Sequence, residues 1–301
     1  MNKNLKKFLQ GTLFSIIPIF IFVIFVYGSQ LYLSFGTASI SDASNLVENQ
    51  EKNLPVKELE EPPEESTEKI NAQSFISLKT NLLNEDKIVN QKNIDLKLPI
   101  ASFTKLMTAI ISLDNYNLSQ NIFLTESADL QPSMKIDFKI GDNFTIKNYL
   151  YVMLIESSNK AAFALAEQIG EENFVNLMNQ KAKEIGLKNT YFADPTGLSS
   201  KNVSTINDLV IFVKYIIKNY PAIAEISTIK KYELLGFGEI ENTNQLLVDF
   251  PEIILSKTGF TNDAKGCLLI VLNNPKDSDY FINIILGSEN RFLEMEKLIN
   301  K

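Results

Sequence analysis

The sequence predicts an α/β domain built on one sheet that joins its first and last segments, preceded by a single membrane-spanning helix. Three observations carry that expectation. β-rich runs lie at both ends of the region after residue 72, helical periodicity fills the stretch between them, and a long uncharged apolar run sits near the N-terminus. With 301 residues, 45% of them apolar and 22% charged, the chain can bury a substantial core.

The apolar run comes first. Residues 8–41 carry no charge, and 11–26 are dominated by Ile, Phe, Leu and Val. A helix of about 20 residues spans roughly 30 Å of hydrocarbon, so this stretch is long enough to cross a bilayer. Lys3, Lys6 and Lys7 precede it and acidic residues follow, which by the positive-inside bias puts the N-terminus in the cytoplasm. Gly36-Thr37-Ala38 offers the small residues of a signal-peptide cut. The run nevertheless exceeds the roughly 7–15 apolar residues of an ordinary signal core, which favours an uncleaved anchor. Residues 1–41 are therefore expected as a cytoplasmic stub and cell-membrane anchor, with the remainder extracytoplasmic.

Residues 42–72 are expected as a tether. They hold nine acidic and three basic side chains, most of the chain's formal charge of −7, around Glu60-Glu61-Pro62-Pro63-Glu64-Glu65. Such a segment lacks the apolar periodicity that would offset the entropy of ordering it. The rest of the chain is close to neutral and has no basic patch, so a nucleic-acid partner is excluded.

A single domain is expected over 73–301. Phe75-Ile76-Ser77-Leu78 and Lys87-Ile88-Val89-Asn90 read as short strands joined by a polar turn. Pro99 introduces a helical run over 102–113, with Leu106, Ala109, Ile110 and Leu113 at apolar spacing. Helices near 146–155 and 160–169 flank Ser157-Ser158-Asn159. Runs 252–258, 267–272 and 281–286 are β-rich, Asn274-Pro275-Lys276-Asp277 supplies a turn, and 289–300 closes the chain as a helix.

Composition narrows the chemistry sharply. There is no histidine, so a Ser-His-Asp triad, a Cys-His dyad and a His-ligated metal are all excluded. The lone Cys267 excludes an intramolecular disulfide. A general base must be a lysine, carboxylate, tyrosine or N-terminal amine. Ser102 and Lys105 are three apart and share one helix face, with Cβ atoms about 5–6 Å apart. A lysine whose pKa is lowered by burial and neighbouring cations could take the serine proton. A helix N-terminus would favour the developing negative charge. Ser157 could pass a proton onward and Asn159 could orient a substrate amide. Lys257 and Thr258 could bind a carboxylate, while Gly259 would let a ligand backbone approach. Each stretch alone has a bland reading: a chance Ser-x-x-Lys, a polar turn with an N-cap, a solvated strand end.

Their co-occurrence in this order lifts them above those readings. Pro99-Ile100-Ala101-Ser102-Phe103-Thr104-Lys105-Leu106-Met107-Thr108 and Leu154-Ile155-Glu156-Ser157-Ser158-Asn159-Lys160-Ala161-Ala162 are followed by Asp194-Pro195-Thr196-Gly197-Leu198, Ser204-Thr205 with Asp208-Leu209, and Lys257-Thr258-Gly259-Phe260-Thr261. This set resembles the low-molecular-mass penicillin-binding D-alanyl-D-alanine carboxypeptidases, a serine peptidase family, over about 73–301. The resemblance implies a β-lactamase/transpeptidase-like domain, a mainly antiparallel sheet covered by helices. It implies peptidoglycan stem peptides as substrate and β-lactam antibiotics as covalent inhibitors, with no metal or organic cofactor. By the same resemblance Ser102 attacks the penultimate D-Ala carbonyl and Lys105 is its base. Ser157 and Lys257 complete the relay, Asn159 holds substrate, and Thr258 meets the terminal carboxylate. The oxyanion would lie between the N–H groups of Ser102 and Phe260, an arrangement typically worth about 3 kcal/mol to the transition state.

The chain also departs from that pattern. Lys160 stands where the family commonly has Asp, and the chain stops soon after the catalytic domain. Arg291, the only arginine, falls near a family arginine and is expected to be structural. Three rival readings remain open: a DD-endopeptidase that cuts D-Ala cross-links, a serine β-lactamase, and a catalytically silent peptidoglycan-binding protein. The lactamase needs a carboxylate to activate water, and Glu172 with Asn176 has a superficially suitable spacing, although a solvated helix face accounts for it better.

Overall fold

The computed structural model describes residues 69–81, 86–132, 138–274 and 279–300. The expected anchor (1–41), most of the expected tether and part of the expected turn at 274–277 lie outside those residues. Among the described residues no helix is long and apolar enough to cross a membrane.

Five strands form the central sheet: β1 Ser74–Thr80, β2 Asp86–Lys92, β3 Ile253–Thr261, β4 Lys265–Asn273 and β5 Tyr280–Ser288. Their order is β2-β1-β5-β4-β3, and every pairing is antiparallel. The first strands of the domain thus close against the last, as the β-rich runs at both ends predict. Eight helices are described: α1 Thr104–Asn115, α2 Glu126–Asp129, α3 Ile146–Ile155, α4 Asn159–Glu167, α5 Glu171–Ile185, α6 Ile206–Asn219, α7 Pro221–Ser227 and α8 Arg291–Ile299.

Side chains alternate across the sheet, so its inner strands feed two layers, whereas the edge strand β2 is largely exposed. Ile282, Ile284 and Leu286 of β5 join Leu106, Ile110, Met153 and Leu165 in the larger core. Ile285 of the same strand joins Leu268, Ile270, Met295 and Leu298 beneath α8. Ile70 and Ala72 are buried in that second cluster, and the Asn71 N–H donates to Glu294 Oε2 at 2.7 Å. The packed domain therefore reaches back before the expected start at residue 73.

Helix α1 runs through the middle of the larger core, and every residue from Thr104 to Ser112 is buried. A helix buried on all sides forces its polar members to find partners. Thr108 Oγ1 donates to Pro195 O at 2.6 Å and Ser112 Oγ to Thr108 O at 2.8 Å. Truncating Leu106 or Ile110 to Ala here would cost about 2–5 kcal/mol. That depth is what the site requires: α1 carries Lys105, and β3 lies at the sheet edge beside it.

Candidate active site

The predicted nucleophile occupies a single 3₁₀ turn, Ala101–Phe103, immediately ahead of α1. Ala101 has φ +45°, a conformation that L residues other than Asn and Asp seldom take. Two glycines make room for the turn. A Cβ on Gly197 would lie 2.0 Å from Ala101 O, and one on Gly259 would lie 3.2 Å from Ser102 N. Gly197, at φ +87°, and the strand at Gly259 therefore press the turn from different segments.

Lys105 is fully buried. Its Nζ donates to Ser102 Oγ at 3.0 Å, to Asn159 Oδ1 at 2.7 Å and to Thr196 O at 2.6 Å. Burial lowers its pKa to about 7, against the opposing charge of Asp194. A neutral amine has two N–H donors and one lone pair. The carboxamide and carbonyl oxygens can only accept, so once Lys105 loses a proton they keep both donors, the lone pair turns to Ser102, and the bond reverses so that the Ser102 hydroxyl donates. This is the geometry of a base.

A second amine–hydroxyl pair stands in the same cleft. Lys257 Nζ donates to Ser157 Oγ at 2.8 Å and to Thr258 O at 3.1 Å. Its pKa is held well below the usual lysine value, first by burial and then by the charges of Lys105 and Arg291. The neighbouring cations expected to act on Lys105 thus act on its counterpart, while burial governs Lys105. Ser157 sits at φ +64° between the end of α3 and Ser158, the N-cap whose side chain accepts from the Ala161 N–H. This left-handed residue, costly by about 1–3 kcal/mol, turns the hydroxyl into the cleft. Asn159 opens α4, and its Nδ2 donates to Pro132 O at 2.8 Å.

All the predicted site residues come together. Ser102, Ser157, Asn159, Thr258, Gly259 and Phe260 line one cleft of about 440 Å³, with Lys105 and Lys257 buried behind their serines. Phe260 stands at the mouth, 58% exposed. The sequence assigns no site role to three further members: Thr243 lies in no motif, Arg291 is expected to be structural, and Asp194 stands only as a landmark of the resemblance. Thr243 shares a 2.6 Å hydrogen bond with Thr258 Oγ1 and also lines the cleft. Arg291 lines it too, and its Nη1 donates to Gly259 O at 3.1 Å. Asp194 accepts from the Thr196, Gly197 and Ser199 N–H groups at 2.6, 2.7 and 2.8 Å, which sets the loop that presents Thr196 O to Lys105. Glu172 and Asn176 lie exposed on α5, away from the cleft-lining residues. They hold no water-activating position.

An antiparallel sheet under helices carries a serine addressed by a buried lysine and a second serine–lysine pair opposite, an arrangement suited to acyl transfer through a serine ester. The family model for D-alanyl-D-alanine carboxypeptidases matches residues 39–290, and the chain belongs to that family. It is 38% identical over 208 residues to a D-alanyl-D-alanine endopeptidase of Escherichia coli, covering 64% of this chain and 66% of that one. It is 35% identical over 200 residues to the D-alanyl-D-alanine carboxypeptidase DacF of Bacillus subtilis, covering 60% and 50%. The chain thus spans less than two thirds of the length of those curated relatives. Among solved structures, a penicillin-binding protein of Listeria monocytogenes in its cefotaxime-bound form superposes with a TM-score of 0.70 at 25% identity, covering 77% of this chain and 97% of that one.

Proposed function

We propose that this protein is a serine DD-carboxypeptidase that removes the terminal D-Ala from peptidoglycan stem peptides through an acyl-enzyme on Ser102. The observation that carries the reading is the pair of serine–lysine hydrogen bonds on one cleft, 3.0 Å for Ser102–Lys105 and 2.8 Å for Ser157–Lys257. Lys105, about half neutral near pH 7, takes the Ser102 proton as Oγ bonds to the penultimate D-Ala carbonyl carbon. The oxyanion is met by the Ser102 and Phe260 N–H groups. Collapse breaks the C–N bond, and the leaving amine takes the proton that Lys105 drew from Ser102, passed on through Ser157 and Lys257, so that Lys105 is neutral again. Water then cleaves the ester, Lys105 taking its proton as the acyl C–O bond breaks and returning it to Ser102. Asn159 orients the stem amide, and Thr258 with its partner Thr243 receives the terminal carboxylate. A β-lactam would enter the same first step and remain as a covalent ester.

A second reading, a DD-endopeptidase that cuts D-Ala cross-links, is favoured by the likeness to the Escherichia coli D-alanyl-D-alanine endopeptidase. It uses the same residues and differs only in the leaving group. Incubating the protein with purified muropeptides and weighing the products separates the two: loss of one D-Ala from monomeric pentapeptides supports the first, and splitting of dimers supports the second. Release of D-Ala by Ser102→Ala would remove Ser102 as nucleophile under either.

We also propose that residues 8–41 anchor the chain in the cell membrane and 42–68 tether an extracytoplasmic domain to it. The Lys3, Lys6 and Lys7 flank and the uncharged apolar run support this. Carbonate extraction of membranes tests it, since release of the full-length chain into the soluble fraction would contradict anchoring.

A further inference from the structure

We propose that Lys160 is a positioning residue, which acts on the reaction through its neighbour Asn159; this rests on the serine-peptidase reading above. Lys160 belongs to the first turn of α4 and is nearly buried. A buried ammonium must be matched by acceptors, and removing those acceptors is costly. Its Nζ donates to Asp129 Oδ1 at 2.7 Å and to Phe138 O at 3.0 Å. Asn159 Nδ2 donates to Pro132 O at 2.8 Å. Two consecutive side chains of one helical turn therefore hold Asp129, Pro132 and Phe138.

Phe138 is a fixed point. Its ring is fully buried and lies 5.3 Å from Phe144, 5.8 Å from Tyr149 and 4.9 Å from Phe237, centroid to centroid. Lys160 thus ties the end of α2 to an aromatic cluster and brings Pro132 O to where the Asn159 amide can reach it. With Nδ2 so engaged, the other end of the carboxamide points at the catalytic amine, and Oδ1 accepts from Lys105 Nζ at 2.7 Å. The link from Asp129 runs through Lys160 to its chain neighbour Asn159, whose carboxamide joins Pro132 O to Lys105. A carboxylate at position 160 would face the Asp129 carboxylate instead, so the lysine and Asp129 work as a matched pair.

The test is the rate of acylation by a fluorescent penicillin, with thermal melting as the folding control. Misplacement of a reacting group by about 1 Å can cost on the order of 100-fold, so Lys160→Met is expected to slow acylation by about tenfold or more. Lys160→Arg, which can still donate to Asp129, should stay within about threefold of the wild type. Because the effect runs through Asn159, Lys160→Met should add at most about twofold on an Asn159→Ala background, the non-additivity of residues that share one network. Asp129→Asn, at a half-exposed position, reads the same clamp if Lys160→Met fails to fold, and should slow acylation about threefold or more. An unchanged rate in Lys160→Met, or in Asp129→Asn where that variant stands in, would overturn the proposal. So would an equal slowing with and without Asn159. A wild-type protein that does not label at all overturns the serine reading, and with it this one; a wild type that labels beside an indifferent Lys160→Met overturns only the role of Lys160.

Discussion

Gly197→Ala isolates the contact that holds the nucleophile's turn. The added Cβ would lie 2.0 Å from Ala101 O, 2.5 Å from Ala101 C and 3.0 Å from Ser102 N. These are backbone atoms, which cannot swing aside as a flexible side chain would. To go from 2.0 Å to an ordinary contact of 3.4 Å, the loop or the turn must retreat by about 1.4 Å. The loop is held by the three backbone N–H bonds to Asp194 and presents Thr196 O to Lys105. The turn carries Ser102, so either movement separates the serine from its base. A misplacement of that size costs on the order of 100-fold in rate. The left-handed backbone adds about 1–2 kcal/mol of instability. Gly186→Ala separates the two effects. Gly186 has φ +89° and nothing within 4 Å of its Cβ position, so it bears the backbone strain without the clash. Stopped-flow labelling with fluorescent penicillin, paired with thermal melting, should show both variants melting lower and only Gly197→Ala losing acylation. Acylation by Gly197→Ala within threefold of the wild type would refute the reasoning.

Other outcomes follow from the same geometry. Acylation should rise with pH through about 7, because Lys105 must be neutral to act as base and burial lowers its pKa to about 7; a rate flat between pH 6 and 8 would exclude it from that role. Stability should rise over the window from pH 7 toward 10.5, since the folded chain then holds fewer protons at Lys105 than the unfolded one. Lys105→Met should flatten that slope in denaturant titrations. Ser157→Ala removes the partner of Lys257 and should lower acylation by about 100-fold or more, the range of a positioned proton-transfer group; a wild-type rate would assign the relay elsewhere. Thr243→Val deprives Thr258 of its 2.6 Å partner and should raise KM for D-Ala-terminated peptides more than it lowers kcat, which steady-state release of D-Ala measures.

Much of the fold was legible because its signals are local. The strands β1, β3, β4 and β5 and the helices α3 and α4 fall where alternation, periodicity and the Ser158 cap place them. Helix α6 carries no clear helical signal in the sequence. Its Leu209-Val210-Ile211-Phe212-Val213 run is dense in β-branched and aromatic residues and mimics a buried strand, although Thr205 caps it through the Asp208 N–H. The hairpin Lys231–Leu234 with Gly238–Glu241 carries too short an apolar pattern to stand out. In the cleft, side chains in motifs were legible and backbone groups were not. Thr196 O, 2.6 Å from Lys105 Nζ, is a backbone acceptor that residue type does not signal, and Thr243 arrives from a segment without a motif. The burial that tunes Lys105 is a property of how α1 sits in the core, which a heptad of letters does not contain.

The most direct test is peptide mapping by mass after the intact protein has reacted with benzylpenicillin. The account predicts one penicilloyl adduct, on Ser102, formed by the wild type and absent from both Ser102→Ala and Lys105→Ala. An adduct on Ser157 or any other residue, or unimpaired labelling of Lys105→Ala, would contradict it.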